Sequence, residues 1–228
     1  MNILSAGAAK GLLHTIAAEH GVELAGEYGA VRVMRERLLT GASCDVIVLT
    51  ESMIAELVRE GHVAAASVVR LGSVSTGVAL PIAAAPVNIE TTEQFRQLLA
   101  NASRIYFPDP QRSTAGIHFM RVLETLGLAS SHSGRFLTFA NGATAMRALA
   151  DCGDITAVGV TQHSEIVYTE GVRWVGALPA EFALATVYSA ALIANATEVR
   201  SAERLLAALS APSAEAGRIA AGFEHARK

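Results

Sequence analysis

Short runs of β-branched and aromatic residues alternate along this chain with stretches whose apolar residues recur at helical spacing. Asp45–Leu49 (DVIVL), Arg104–Phe107 (RIYF) and Ala157–Val160 (AVGV) read as strands, and an apolar run from Asn2 leads into the first helical stretch. Amphipathic segments fall near residues 8–20, 31–40, 51–60, 92–100, 114–127 and 142–150. Strands separated by helices become parallel neighbours in a sheet whose faces the helices cover. The alternation therefore predicts an α/β fold with mostly parallel sheets. Gly21, Gly41, Gly61 and Gly127 each follow a helical run, where a left-handed C-terminal residue suits glycine.

With 228 residues and 51% hydrophobic content, the chain can bury one large core or two smaller ones. A net charge of −3 and the lack of a basic run argue against nucleic-acid binding. Apolar stretches break well before the ~18 residues of a membrane span, so no membrane insertion is expected. Cys44 and Cys152 stand far apart and read as buried free thiols; the histidines show no ligand spacing, so neither a metal nor another cofactor is expected. The sequence passes from Met1 straight into a strand, which predicts a cytoplasmic protein as written, or a periplasmic one if a leader has been trimmed.

Two extended stretches, 72–87 (ending in two prolines) and 181–194, are suited to carry the chain between lobes. They divide it into a first lobe of residues 1–80 plus 188–228 and a second of 81–187. The run 201–226 reads as two amphipathic helices broken near Pro212 and packed on the first lobe.

The passages from strand to helix carry the chemistry. SAGAAKG (5–11), EYGAVRVMRERLL (27–39), FPDPQRSTAG (107–116) and FANGATAMRAL (139–149) each place small or hydroxyl residues where a helix begins, and GVTQHSEI (159–166) is a further candidate. The first turn of a helix leaves backbone N–H groups without partners, and its dipole favours negative charge. Small residues let an anion approach those N–H groups, and hydroxyls add uncharged donors. Ser5, Ala6, Gly7, Ala8, Ala30, Val31, Ser113, Thr114, Ala115, Asn141, Gly142, Ala143, Thr161 and Gln162 are accordingly candidate ligand contacts, with Lys10 and Arg32 as nearby cations. Ordinary capping accounts for each junction taken alone.

In order and spacing, SAGAAKGLL, GAVRVMRERLLTGASCDVIVLT (29–50), DPQRSTAGIHFMRVLETLGL (109–128) and NGATAMRAL followed by VGVTQHSEI resemble the periplasmic molybdate-binding protein family and its relatives, among them aconitate isomerase. The resemblance spans nearly the whole chain. It implies the type 2 solute-binding fold: two α/β lobes around a hinged anion cleft. The family's molybdate binders carry serines about where this chain has Ala8 and Ala30 or Val31, and a tyrosine near Thr161. Losing those hydroxyls disfavours a tetrahedral oxyanion, while Arg32 beside the vacated position suits a planar carboxylate. Arg35 reads as part of a solvated face, paired with Glu36.

The expected function is binding of a small anion, a di- or tricarboxylate, with any transporter partner unspecified. The alternative is an intracellular isomerase of an unsaturated polycarboxylic acid, like aconitate isomerase; a molybdate-type binder ranks third. Isomerisation needs a base beside a held carboxylate. His163 is the first candidate, followed by Glu165, Lys10 and His118. Glu165 otherwise reads as a surface carboxylate, His118 as a helix-face residue, and Pro108–Pro110 as a rigid turn.

Overall fold

In the computed structural model, which describes residues 1–224, the alternation becomes a regular series of elements. In chain order they are β1 (Asn2–Ala6), α1 (Lys10–Glu19), β2 (Ala25–Gly29), α2 (Val31–Leu39), β3 (Val46–Thr50), α3 (Glu51–Arg59) and β4 (Val69–Pro81). Then follow α4 (Thr92–Asn101), β5 (Ile105–Pro108), α5 (Thr114–Thr125), β6 (Phe136–Phe139), α6 (Gly142–Ala150), β7 (Val158–Gln162), α7 (His163–Val167) and β8 (Val172–Ala177). The series closes with β9 (Ala185–Leu192), α8 (Val199–Ser210) and α9 (Glu215–Ala220). The fold is α/β. Two compact units emerge: Met1–Val74 with the chain from Thr186 onward, and Ser75–Ala185.

In the first unit the strand order is β2-β1-β3-β9. β1 runs parallel to β2 and β3, and β9 returns antiparallel to β3. Ser5 lies level with Tyr28 on one side and Val48 on the other, and Ala6 with Gly29. Because each parallel strand feeds a helix, α1, α2 and α3 all start at the carboxyl edge of this sheet. β3 is an unbroken apolar run, buried until Thr50, as a strand covered on both faces requires. In α8, Ala202, Leu205, Leu206 and Leu209 fall at i, i+3, i+4 and i+7, and this stripe packs with Leu12, Leu13 and Ile16 of α1. Each such leucine contributes about 1.5–3 kcal/mol of burial.

The ends of the chain are tied into this unit by polar contacts. The buried Asp45 accepts from the Asn2 N–H on Oδ2, and from the Thr197 N–H, Thr197 hydroxyl and Glu198 N–H on Oδ1. Further on, Ser73 and Glu224 exchange backbone hydrogen bonds of 2.9 and 2.7 Å. Gly72 beside them has φ +132°, and a Cβ there would come within 2.6 Å of the Glu224 carbonyl, so glycine is required on both counts. Pro212 opens a 3-10 turn between α8 and α9, the break expected there; residues 225 and 226 of that C-terminal run lie outside the described residues.

In the second unit β7 lies between β5, parallel to it, and β4, antiparallel; β6 adds parallel to β5, and β8 pairs antiparallel with β4. Its helices α5, α6 and α7 follow β5, β6 and β7, so they too begin at one carboxyl edge. One face is packed by Phe95, Phe107, Phe119 and Leu123, with Phe107 edge-on to Phe119 at 5.2 Å between ring centroids. The other holds Tyr106, Met146, Leu149 and Ile166. Among the described residues no helix is long and apolar enough to cross a membrane.

Candidate functional site

Ligands of open α/β sheets bind beyond the carboxyl ends of the strands, where helices begin. In the first unit, a 3-10 turn over Gly7–Ala9 joins β1 to α1, and Ala6 before it is extended, with no side-chain cap. Ala30 likewise precedes α2 in an extended conformation and makes no side-chain cap. The contrast is α3, where the Thr50 hydroxyl accepts from the Met53 N–H at 3.4 Å. Of the three helix starts at this carboxyl edge, those at Ala6–Ala8 and Ala30–Arg32 have no cap side chain on a first-turn N–H.

The side chains around these starts differ from expectation in three ways. Ser5 is fully buried and donates its hydroxyl to the Ala6 carbonyl at 2.9 Å, so it does not offer that proton outward. Arg35 pairs with Glu60 at 2.8 Å, not with Glu36, because Glu60 at the end of α3 lies within reach. Lys10 places Nζ over the Tyr28 ring, 5.5 Å from its centroid, and His14 Nε2 lies 3.2 Å from the Tyr28 hydroxyl. His14 lies one helical turn from Lys10, a neighbour the spacing could have named, whereas Tyr28 reaches both only through the β1–β2 register. Arg32 is exposed on the first turn of α2.

In the second unit, Asp109 Oδ1 accepts from the Gln111 and Arg112 N–H groups at 2.7 and 3.1 Å. The Pro-Asp-Pro segment is therefore a turn that sets Ser113, Thr114 and Ala115 at the end of β5. The Ser113 hydroxyl does not cap α5; Ser113 and Thr114 are half-buried and Ala115 is buried. His118 bonds the Phe182 carbonyl through Nε2 at 2.8 Å, a structural contact. Gln162 Nε2 donates to the Thr76 hydroxyl at 3.3 Å. His163 stacks on Trp174, ring centroids 4.0 Å apart and 28° between planes.

The start of α6 is built differently. Asn141 Oδ1 accepts from the Thr144 N–H at 2.8 Å and from its hydroxyl at 2.9 Å. The Glu165 carboxylate accepts from the Thr161 hydroxyl at 2.5 Å and faces the backbone N–H groups of Ala143, Gln162 and Gly142, which favour its charged form. Glu165 is buried, which corrects the surface reading: the first turn of α7 points it inward against α6. Burial raises its carboxyl above the ordinary value, with those hydrogen bonds pulling the other way. Gly142, Ala143 and Thr161, expected to face a ligand, here face the protein's own carboxylate. Cys44 is buried and Cys152 only half-buried, and both are free. Among the described residues no cluster of His, Cys, Asp or Glu could hold a metal ion.

The family model for bacterial extracellular solute-binding proteins matches residues 2–224. The chain belongs to this family. The fold of this solute-binding protein is that of the Azotobacter vinelandii periplasmic molybdate-binding protein, with a TM-score of 0.79 at 19% identity over 100% of both chains. The sulfate-binding protein SubI from Mycobacterium tuberculosis H37Rv aligns with a TM-score of 0.71 at 17% identity, over 98% of this chain and 85% of that one. An aconitate isomerase from Pseudomonas sp is 27% identical over 179 residues, covering 78% of this solute-binding protein. The match spans 66% of that relative's length.

Proposed function

We propose that this solute-binding protein takes up a small organic anion with more than one carboxylate, for delivery to a membrane transporter. The observation that carries the reading is the start of α2. Ala30 and Val31 supply backbone without hydroxyls, no cap side chain takes the first-turn N–H groups, and Arg32 stands exposed on that turn. A guanidinium matches a planar carboxylate in two parallel hydrogen bonds, and uncapped N–H groups stabilise a second negative charge. The relative named for aconitate, a tricarboxylate, supports the same substrate class. The family's description as extracellular favours a site of action outside the cytoplasmic membrane, with a leader removed on export.

The same relative favours a second reading, isomerisation of an unsaturated polycarboxylate. There His163, held at the end of β7 by stacking on Trp174, would take a proton from the carbon next to a carboxylate and return it elsewhere. The structural neighbours named for molybdate and sulfate supply the third, an inorganic oxyanion.

A thermal-shift and calorimetric screen separates the three. The panel holds trans-aconitate, cis-aconitate, citrate, malate, molybdate, tungstate and sulfate. Selective stabilisation by a polycarboxylate is expected, and Arg32→Ala should weaken it by ~1.5–3 kcal/mol, the worth of a charge-assisted hydrogen bond. A response to molybdate or sulfate alone rejects the carboxylate reading. Incubation with cis-aconitate followed by NMR reports turnover, and full turnover in His163→Gln rejects that residue as base.

A further inference from the structure

The first turn of α6 meets polar groups of the protein itself. The Gly142 and Ala143 N–H groups face the Glu165 carboxylate, the Thr144 N–H goes to the Asn141 side chain, and the Ala145 N–H goes to the Asn141 carbonyl. A negatively charged group at the first two N–H positions is what a bound oxyanion supplies at such a helix. Here it comes from a buried side chain four residues beyond Thr161, whose hydroxyl completes the shell. Gly142 makes the approach possible: a Cβ at that position would fall on Glu165 Oε2 and Thr161 Oγ1. The bare glycine, the inward-turned carboxylate and the added hydroxyl form a built anion site that is already filled.

We infer that Glu165 is a resident anion that occupies the α6 start and so determines specificity, keeping an external oxyanion from that helix. This deepens the proposed function and rests on α6 belonging to the binding edge. It leaves the uncapped start of α5, at Ser113–Ala115, to meet the solute's charge on that edge. A ligand that needed free N–H groups on both helices, as a compact tetrahedral dianion would, is disfavoured. An extended organic acid that distributes its charge is not.

The test compares wild type, Glu165→Ala and Glu165→Gln by thermal unfolding in formate, acetate, sulfate and chloride at matched ionic strength. Glu165→Ala is expected to melt below wild type and to regain most of the loss in formate, saturably, as mass action requires. Wild type and Glu165→Gln, whose side chain still fills the space, gain no more from formate than from chloride. Equal gains in all three proteins, or no gain in Glu165→Ala, overturn the inference. Should Glu165→Ala fail to fold, the wild-type amide resonances of Gly142 and Ala143 decide. They stay in place through a formate or sulfate titration if the site is filled, and their movement refutes it. Neither readout involves the natural solute. Formate rescue alongside a silent organic-acid screen removes the carboxylate reading and keeps Glu165 as resident anion, and the reverse pattern does the opposite.

Discussion

Asp45→Ala tests whether the first unit depends on the carboxylate that joins its two chain ends. Asp45 is 1% exposed and accepts four hydrogen bonds, from Asn2, Glu198 and twice from Thr197, at 2.8–3.1 Å. A hydrogen bond to a charged group contributes about 1.5–3 kcal/mol net, so simple addition would give at least ~6 kcal/mol. That sum overshoots, because Thr197 and Glu198 are exposed and their donors turn to water when the carboxylate is gone. The half-buried Asn2 N–H has less access to water. The expected loss is ~2–4 kcal/mol, read in urea as a lower midpoint at unchanged slope. Asp45→Asn keeps one acceptor but can set an amide N–H₂ against the Asn2 N–H, and should lose about 2 kcal/mol. The pH dependence has a definite sign. Burial pushes this carboxyl up, but the Glu198, Asn2 and Thr197 hydrogen bonds together hold it below the ordinary 3.8. Its stabilisation is therefore complete above that value and fades as the pH falls toward the folded-state value. A loss under ~0.5 kcal/mol, or an Asp45→Asn deficit of the same size at pH 7 and pH 3, would refute the reasoning.

Glu165 carries the opposite sign: its carboxyl is raised by burial, so its contribution is largest in acid and declines as pH rises through the folded-state value. Glu165→Gln should flatten that part of the stability–pH curve, measured by urea midpoints across the range. Gly142→Ala should cost about 2–4 kcal/mol by forcing a methyl group onto Glu165 and Thr161, and a double-mutant cycle with Glu165→Ala should show that the two losses do not add. Burial pushes the Cys44 thiol up to about 12, so at mildly alkaline pH the native protein should react with a thiol reagent at the half-buried Cys152 and not at Cys44. Both should react in denaturant, and rapid native modification of Cys44 would count against the buried core around it.

Much of the fold is legible because its central strands are buried on both faces and so appear as unbroken apolar runs. Asp45–Leu49 and Arg104–Phe107 fall within one residue of β3 and β5, and Ala157–Val160 within two of β7. The helices announce themselves by period, and Gly21, Gly41, Gly61 and Gly127 all adopt positive φ past their helices. β2 stays hidden because AGEYG carries two glycines and mostly exposed side chains; it is a strand only through its register with β1. β6, half-exposed and four residues long, and the five-residue α7 offer too little pattern to read. At the site, the small-residue helix starts could be located from sequence, since small residues and extended caps are local properties. The partners of their N–H groups could not. Glu165 follows a polar stretch and looks solvent-facing, and only the approach of α6, whose start lies more than twenty residues earlier, buries it.

The way the first unit is closed has a consequence for the order in which the protein acquires structure during synthesis. Ser75–Ala185 is one continuous stretch and can fold as soon as it clears the ribosome. The first unit, begun at Met1, must wait for β9 to pair with β3, for the Thr197 segment to reach Asp45, and for Glu224 to meet Ser73. Its first seventy-odd residues thus wait with the β3 edge unpaired until β9 has been made. That interval is when this half is exposed to chaperones.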